Sequence, residues 1–227
     1  MTKFPTMIAI DGPAASGKST VAKRLADDLN YLFFDTGVMY RAITWIALDR
    51  NQMLPEEDEI TALAQKVQID VRPASIDDGR DSDIIADGED ITWQIRLPEV
   101  DANVSPVSAI PGVRVALSQQ QRRIGLRGSV VMVGRDIGTV VLPEADLKIY
   151  LDASVEERAV RRYKEALSRG DDITLESILS AMCRRDQIDS TRVVAPLRPA
   201  DDAVLVDSDQ MDVEEVLAYI MTYFDND

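Results

Sequence analysis

Short, nearly continuous apolar runs alternate along the chain with longer segments whose apolar residues recur every three or four positions. Runs of the first kind are typical of strands buried on both faces, and the spacing of the second kind indicates amphipathic helices. A polar turn follows each apolar run, as parallel strands joined by helices require. The pattern predicts an α/β fold with helices on both faces of five parallel strands, at 7–11, 31–34, 130–133, 147–151 and 203–206.

The region 64–106 departs from this pattern. Residues 67–71 alternate between apolar and polar, which indicates a half-exposed strand, and a hairpin pattern follows that turns at Asp87-Gly88. We therefore predict that 64–106 is a small antiparallel β domain, inserted into a core formed by 1–63 and 107–227. Its acidic residues lack the spacing of a calcium-binding loop, so we interpret them as a solvated surface.

The eight residues Gly-Pro-Ala-Ala-Ser-Gly-Lys-Ser at 12–19 fit the template G-x-x-x-x-G-K-S/T and lie between the first strand and the first helix. In that context the glycines let backbone N–H groups face a phosphate, and the helix N-terminus adds partial positive charge. Lys18 adds a full charge, and the Ser19 hydroxyl can bind the Mg²⁺ that accompanies ATP. We predict ATP and Mg²⁺ as ligands, Ser19 as the metal ligand, and an ATP-binding loop formed by Gly12, Pro13, Ala14, Ala15, Ser16, Gly17, Lys18, Ser19 and Thr20.

The composition excludes several other chemistries. The chain has no histidine and one cysteine, which rules out a catalytic histidine, a disulfide within the chain and most transition-metal sites. The net charge of −15 argues against binding to a nucleic-acid backbone. No apolar run reaches the length of a membrane span, and the first residues lack the pattern of a signal peptide. We therefore expect a cytoplasmic enzyme without nucleic-acid or membrane partners.

The positive charges are unusual in type and in place. Of the 25 cationic residues, 19 are arginine, the residue that binds phosphate in a bidentate way, and nine of these lie within 135–198. Three of them share one face of a helix predicted to begin with a capping box at Ser154 and Glu157. Salt bridges on exposed helices would explain this pattern too, but next to an ATP loop it favours phosphate handling, with a helical lid at about 154–172.

A phosphate loop alone does not define the reaction. No N-K-x-D motif for guanine is present, and the apolar run at 130–133 leads into Gly134-Arg135-Asp136 instead of the adjacent acidic residues typical of ATPase machines. A kinase must bind a second substrate and exclude water, and an inserted domain with an arginine-rich lid suits that requirement. From these features alone a kinase for a nucleotide, for shikimate or for a coenzyme precursor stays open, as does an ATP-binding regulator that transfers no phosphate.

Longer motifs are much more specific than the phosphate loop. They are Asp-Thr-Gly-Val-Met-Tyr-Arg at 35–41, Gly-Arg-Asp-Ile-Gly-Thr-Val-Val at 134–141 and Arg-Val-Val-Ala-Pro-Leu at 192–197. With these motifs the chain resembles, over nearly its full length, the bacterial cytidylate kinases, which have the P-loop kinase fold. The resemblance implies an enzyme of pyrimidine nucleotide metabolism that transfers the γ-phosphoryl group of ATP to CMP or dCMP. We expect it to act as a monomer.

The resemblance also implies a site for the acceptor nucleotide. Arg41, Arg135 and Arg192 would hold its phosphate. Asp136 would accept a hydrogen bond from the cytosine amino group, and UMP would be rejected because it carries a carbonyl oxygen there. The CMP-binding residues that the resemblance implies are Thr36, Tyr40, Arg41, Ser105, Arg114, Arg135, Asp136, Arg185, Asp189 and Arg192.

For the transfer step, the resemblance implies that lid arginines contact the migrating phosphoryl group while the loop lysine holds the ATP phosphates. The catalytic residues that it implies are Lys18, Arg158, Arg162 and Arg192. The chain departs from the family pattern at Ala15, where many relatives have glycine. We expect this residue to restrict the backbone of the loop.

Overall fold

The computed structural model describes residues 4–51, 53–170 and 172–224. Its strands are β1 (Met7–Asp11), β2 (Leu32–Asp35), β3 (Ile69–Pro73), β4 (Ser82–Ala86), β5 (Glu89–Asp90), β6 (Val130–Gly134), β7 (Leu147–Asp152) and β8 (Val204–Asp207). Its α-helices are α1 (Lys18–Leu29), α2 (Gly37–Asn51), α3 (Glu57–Lys66), α4 (Pro98–Ala109), α5 (Pro111–Gly125), α6 (Val155–Arg169), α7 (Leu175–Thr191) and α8 (Val213–Met221). Within the described ranges, no helix is long and apolar enough to cross a membrane.

Five strands form one parallel sheet in the order β2-β6-β1-β7-β8. β1 lies in the centre, with Ile10 opposite Val133 of β6 and Ile149 of β7. The five strands predicted from the apolar runs are thus confirmed. Because parallel strands end at the same edge of a sheet, distant chain segments meet there, and the last residues of the five strands are Asp35, Gly134, Asp11, Asp152 and Asp207.

Successive side chains of β1 point to opposite faces of the sheet, and an apolar core lies on each face. Ala9 belongs to one core together with Ile43 of α2, while Ile8 and Ile10 belong to the other together with Leu25 of α1. All five side chains are buried. This double burial explains why the strand is continuously apolar and why helices cover both faces of the sheet.

The region 64–106 contains an antiparallel sheet, as expected, with β4 between β3 and β5. The β4–β5 hairpin turns at Asp87 and Gly88, whose φ angles of 48° and 93° lie in the left-handed region that such two-residue turns require. Ile69 of β3 and Ile84 of β4 are buried in the same core as the apolar residues of α2 and α5. The small sheet and the adjoining helices of the main sheet therefore share one apolar core.

Helices α6 and α7 form a hairpin with a small apolar core of its own. Ala159 and Ala166 of α6 pack with Ile178 and Met182 of α7, and Ala15 of the phosphate loop packs against this cluster. The hairpin therefore stands over the phosphate loop, where a lid is expected.

The predicted capping box at the start of α6 forms only in part. Ser154 Oγ accepts from the backbone N–H of Glu157 at 3.3 Å, as expected. In a complete capping box the backbone N–H of Ser154 would donate to the Glu157 carboxylate. It donates instead to Asp209 Oδ1 at 2.7 Å, because the chain after β8 lies next to this helix end. A complete capping box opens α8, where Asp212 and Glu215 each accept from the other's backbone N–H.

Candidate active site

A cavity of about 1320 Å³ opens at the C-terminal edge of the main sheet, between the phosphate loop, the α6–α7 hairpin and α4. Of the predicted residues, Gly12, Pro13 and Arg158 are not part of its wall. No residue of β3, β4 or β5 lines it either, so α4 is the part of the inserted region that reaches the cavity. The predicted residues that line it are Ala14, Ala15, Ser16, Gly17, Lys18, Ser19, Thr20, Thr36, Tyr40, Arg41, Ser105, Arg114, Arg135, Asp136, Arg162, Arg185, Asp189 and Arg192.

Backbone conformation explains the sequence of the phosphate loop. Gly12 has a φ of 148°, and a Cβ there would lie 2.1 Å from the carbonyl oxygen of Leu151, so only glycine fits. Gly17, with a φ of 91°, caps α1. The helix therefore begins at Lys18, and its first N–H groups, which have no partner within the helix, lie at the loop.

The Lys18 ammonium group is buried within the loop. It donates to the carbonyl oxygen of Pro13 and to Ser16 Oγ, the latter at 3.3 Å. Burial, followed by the positive charge of Arg135, lowers the pKa of Lys18 well below its usual value. The two oxygens that contact this ammonium group are uncharged. Phosphate oxygens, which carry a full negative charge, would form stronger hydrogen bonds with it.

The predicted metal ligand Ser19 has a carboxylate neighbour that the sequence analysis missed. Ser19 Oγ donates to Asp35 Oδ2 over 3.1 Å, and both residues line the cavity. Hydroxyl and carboxylate oxygens are the donors that Mg²⁺ prefers, so the residues present fit this ion. The available signal was the position of Asp35, directly after a buried strand in the sheet that also carries the phosphate loop.

A buried ion pair joins α5 to the end of β6. Arg114 Nη2 donates to Asp136 Oδ1 at 2.9 Å, and the two side chains are only 4% and 8% exposed. The Arg114 guanidinium also lies over the ring of Tyr40, 5.5 Å from its centroid. Asp136 Oδ2, Arg114 Nε and Arg192 Nη2 are buried without a hydrogen-bond partner among the described residues. Leaving a buried polar atom without a partner costs roughly 1–3 kcal/mol, so these atoms indicate a position where a ligand would form hydrogen bonds.

Asp189 of α7 holds several predicted arginines at the cavity. Its carboxylate lies 3.1 Å from Arg135 Nε, 3.2 Å from Arg192 Nη1 and 3.9 Å from Arg185 Nε. Burial lowers the pKa of Arg185 and Arg192, and neighbouring arginines lower it further. The arginines outnumber the carboxylates that hold them, so the cluster suits a phosphate dianion.

Arg41 reaches the cavity from α2 and is held on the side of α4. It donates to the carbonyl oxygen of Ile95 at 3.0 Å and pairs with the Asp101 carboxylate. Ser105 lies one turn further along α4 and also lines the cavity. Thr36 donates to a carbonyl oxygen of β6 at 2.9 Å, which ties the turn between β2 and α2 to the central strands.

Arg158 differs in position from the other predicted arginines. Its side chain is 5% exposed and donates to Asp186 Oδ2 at 2.5 Å. It also donates to the carbonyl oxygens of Ala153 at 2.9 Å and Ala14 at 3.1 Å. Arg158 thereby joins the α6–α7 hairpin to the backbone of the phosphate loop.

Arg161 lines the cavity, although the sequence analysis assigned it no role beyond the shared helix face. Its guanidinium donates to the carbonyl oxygen of Ser208 at 2.6 Å and to Glu157 Oε1 at 3.1 Å. Arg162 lines the same cavity, is half exposed and pairs with Glu165 at 3.1 Å. Arg161 differs from Arg162 in its contact with Ser208. Because Ser208 lies far away in the sequence, the helix pattern alone could not predict this contact.

Asp11 is a further buried carboxylate that the sequence analysis did not single out. Its oxygens accept from the backbone N–H groups of Ile137 at 2.8 Å and Gly138 at 2.7 Å. Burial raises the pKa of Asp11 from 3.8 to about 6. Asp11 thus fixes the turn that follows Asp136 against the strand that carries the phosphate loop. The only signal was an acidic residue at the end of an apolar run, directly before Gly12.

Ala15→Gly is expected to stabilise the fold by about 0.5–1 kcal/mol, because Ala15 has a φ of 60° in the left-handed region. An L side chain costs roughly 1–2 kcal/mol there, and the greater freedom of glycine in the unfolded chain offsets about 0.4–1 kcal/mol of the gain. Urea-induced unfolding measures the difference. Ala14→Gly, at a position without positive φ, is the control and should destabilise the protein. Lower stability of Ala15→Gly than of wild type would contradict strain at this position.

Asp11→Asn should change how stability depends on pH. The pKa of Asp11 in the folded protein, about 6, lies above the ordinary 3.8, so the folded state binds this proton more tightly than the unfolded state. The stability that the proton contributes is full below the ordinary pKa and is lost as pH rises through the folded value, by about 3 kcal/mol in all. The free energy of unfolding of wild type minus that of Asp11→Asn should therefore fall between about pH 4 and pH 7. A difference that stays constant over this interval would refute the raised pKa.

Comparisons with known proteins bear on the whole of this site. The model of the cytidylate kinase family matches residues 8–226. The chain is 49% identical to the cytidylate kinase of Herpetosiphon aurantiacus, over 96% of this chain and 93% of that protein. It is 46% identical to the cytidylate kinase of Bacillus velezensis, over 94% of each. A bifunctional pantoate ligase/cytidylate kinase of a Synechococcus species is 48% identical over 92% of this chain and 39% of that protein.

The solved structure of an uncharacterized protein from Eubacterium ventriosum matches 97% of this chain and 98% of its own, with a TM-score of 0.54 and 13% sequence identity. At that identity the likeness shows the fold alone. The family is shown by the match over 8–226 and by relatives that share nearly half of their residues with this chain. The phosphate loop and the arginine–aspartate cluster both lie within that match, and the chain belongs to the cytidylate kinase family.

Proposed function

We propose that this chain transfers the γ-phosphoryl group of ATP to CMP or dCMP, which yields ADP and CDP or dCDP. The observation that carries the proposal is a single cavity with a phosphate loop at one end and the buried, partly unpaired pair of Asp136 and Arg114 at the other. The first suits the donor phosphates, and the second offers polar atoms that can read the edge of a base. The relatives that share nearly half of their residues with this chain are cytidylate kinases, which supports the same reaction.

The donor nucleotide would bind with its phosphates on the loop from Gly12 to Thr20. The free N–H groups at the start of α1 and the Lys18 ammonium group would meet the β- and γ-phosphates. Beyond the loop, the wall of the cavity combines a guanidinium group with apolar side chains, which suits the flat adenine ring. The residues of this wall are Arg161, Met211, Val213 and Val216.

Mg²⁺ would arrive bound to ATP. Among the described residues, no group of three or more His, Cys, Asp or Glu side chains could hold a metal ion by itself. Ser19 would hold the ion through its hydroxyl oxygen, together with the nucleotide phosphates and water. When bound there, Mg²⁺ supplies charge neutralisation at the phosphates.

The acceptor phosphate would bind among Arg41, Arg135 and Arg192, with Thr36 at the adjacent turn. In the structure the carboxylates of Asp101 and Asp189 pair with these arginines. A phosphate dianion can accept from several guanidinium groups at once, so it can take over these contacts.

Cytosine would bind at the pair of Asp136 and Arg114. Asp136 Oδ2, which has no hydrogen-bond partner within the described chain, would accept from the exocyclic amino group. Arg114 Nε would donate to the ring carbonyl oxygen. Uracil presents a carbonyl oxygen where cytosine has the amino group, and that oxygen would face the carboxylate. A buried mismatch of this kind discriminates strongly between the two bases.

The sugar would lie between the base and the phosphate. Tyr40 would pack against it, while Arg185 and Asp189 would contact its hydroxyl groups. Ser105 would complete the base site from α4, and we accordingly propose the inserted region 64–106 as the part of the chain dedicated to the acceptor.

Transfer needs no covalent intermediate on the enzyme. An oxygen of the CMP phosphate attacks the γ-phosphorus in line, and the bond from that phosphorus to the β,γ-bridging oxygen breaks, so that ADP leaves with the electron pair. The acceptor phosphate is already ionised near neutral pH, and no general base is required. Lys18, Arg162 and Arg192 would supply positive charge around the transferring group. Arg158, which bonds to Asp186 and to the carbonyl oxygen of Ala14, would contribute only after exchanging these partners.

We also propose that the chain works as a monomer in the cytoplasm. One chain supplies both the donor end and the acceptor end of the cavity.

The test of the proposed function is release of ADP from Mg·ATP with CMP, dCMP, UMP, AMP, GMP or shikimate offered separately. We expect fast turnover with CMP and dCMP and slow turnover with UMP. Preference for another acceptor would retain the kinase reaction but overturn the cytosine site. Tight ATP binding with no acceptor-dependent turnover would overturn the kinase reaction itself.

Asp136→Asn should reduce the ratio of kcat/KM for CMP to that for UMP by about tenfold or more, because an amide can donate to the uracil carbonyl oxygen. The two kcat/KM values are measured side by side. Asp101→Asn removes the same charge from the same cavity at the Arg41 side and should leave the ratio unchanged. If Asp136→Asn also left the ratio unchanged, the base would have to be recognised elsewhere.

A further inference from the structure

Asp35, at the end of β2, is held in a defined orientation next to Ser19. Its Oδ1 accepts from the backbone N–H of Gly37 at 2.9 Å, and its Oδ2 accepts from the Ser19 hydroxyl at 3.1 Å. A Cβ on Gly37 would lie 3.0 Å from Asp35 Oδ1, so the carboxylate fits closely over the first turn of α2. One oxygen therefore caps a helix, while the other meets the hydroxyl that would hold Mg²⁺.

The other carboxylates that line the cavity are engaged elsewhere in the described structure. Most of them pair with arginines, namely Asp101 with Arg41, Asp136 with Arg114, Glu157 with Arg161, Glu165 with Arg162 and Asp189 with Arg135. Two more satisfy the N–H groups of helix starts, namely Asp209 at Ser154 and Asp212 at Glu215. Asp35 is the cavity carboxylate that faces the Ser19 hydroxyl.

The two strands next to the phosphate-loop strand do not supply this carboxylate: Asp152 at the end of β7 does not line the cavity, and β6 carries no side chain at its end. β6 lies between β2 and β1, and it ends at Gly134. A Cβ on Gly134 would lie 2.6 Å from the Ile137 side chain and 2.9 Å from Thr36 Oγ1, so a side chain does not fit there. Asp35 reaches Ser19 from one strand further out, at a position opposite Val133.

We propose that Asp35 is a positioning residue for the metal site. By accepting the hydroxyl hydrogen of Ser19, it would leave the lone pairs of that oxygen available to the Mg²⁺ of bound Mg·ATP. The proposal rests on the proposed function only in requiring Mg·ATP as a substrate. Groups that orient a metal ligand in this way change metal affinity by about 10- to 100-fold.

Binding of Mn²⁺, in place of Mg²⁺, to the protein saturated with the β,γ-methylene analogue of ATP tests this role. Electron paramagnetic resonance of free Mn²⁺ gives the affinity, and no acceptor is added. Asp35→Asn should weaken Mn²⁺ binding by about tenfold or more, because the amide can cap α2 through its oxygen but offers N–H groups to Ser19. Asp101→Asn, which removes the same charge from the acceptor side, should leave the Mn²⁺ affinity unchanged.

Asp35→Glu separates the metal role from the capping role. Glutamate keeps a carboxylate that can accept from Ser19 but is not among the preferred helix caps, whereas asparagine caps as well as aspartate. We expect Glu to retain more Mn²⁺ affinity than Asn, and Asn to retain more thermal stability than Glu in the absence of metal and nucleotide. A residue that only caps α2 would leave the Mn²⁺ affinity of Asp35→Asn at the wild-type value, and this result would overturn the proposal.

A double variant makes the test independent of the kinase assay. Because Asp35 acts through Ser19, Asp35→Asn should cost less than about twofold in Mn²⁺ affinity when Ser19 is already alanine. An undiminished loss in the Ser19→Ala background would overturn the positioning role. If the wild-type protein did not phosphorylate CMP but the Mn²⁺ affinities changed as expected, the proposed function would be overturned and the role of Asp35 would stand.

Discussion

Pairing of arginines with carboxylates at the C-terminal edge of the main sheet is the interaction on which this site depends. A chain with a net charge of −15 repels nucleotides at long range, so positive charge has to be concentrated locally. Guanidinium groups that lie close together and lose water disfavour one another, as the lowered pKa values of Arg185 and Arg192 show. Asp136 and Asp189 offset this cost, and each of them contacts more than one arginine.

These pairs also hold the arginines in place before a nucleotide binds. A free arginine side chain loses about 2 kcal/mol of rotamer entropy when it is immobilised, and an arginine that already bonds to a carboxylate has lost much of it. Asp11 holds the backbone in place in a similar way, because it accepts from the N–H groups of Ile137 and Gly138 in the turn that follows Asp136. The part of the proposed acceptor site at Arg114 and Asp136 is therefore largely preorganised.

The fold was predictable where one physical requirement acts on adjacent residues. Burial on both faces demands continuous apolar runs, and the run at 130–133 became β6 for that reason. The phosphate loop was predictable because its backbone needs glycine at fixed positions, as at Gly12. Contacts between distant segments could not be read in this way. Asp35 meets Ser19 because β2 ends at the same edge of the sheet as the loop strand, and Glu157 loses half of its capping box because Asp209 competes for Ser154.

The separate apolar core of the α6–α7 hairpin has a consequence for motion. The side chains of that core, Ala159, Ala166, Ile178 and Met182, belong to neither of the two sheet cores. The hairpin is tied to the rest of the chain largely by polar contacts, such as Arg158 to Ala14 and Asp189 to Arg135. Polar ties can exchange partners while the sheet cores stay closed, so the hairpin can swing as a rigid body at low cost in free energy. A phosphate that replaces Asp189 at Arg135 would release one of these ties, which would couple occupancy of the proposed acceptor site to the position of the hairpin.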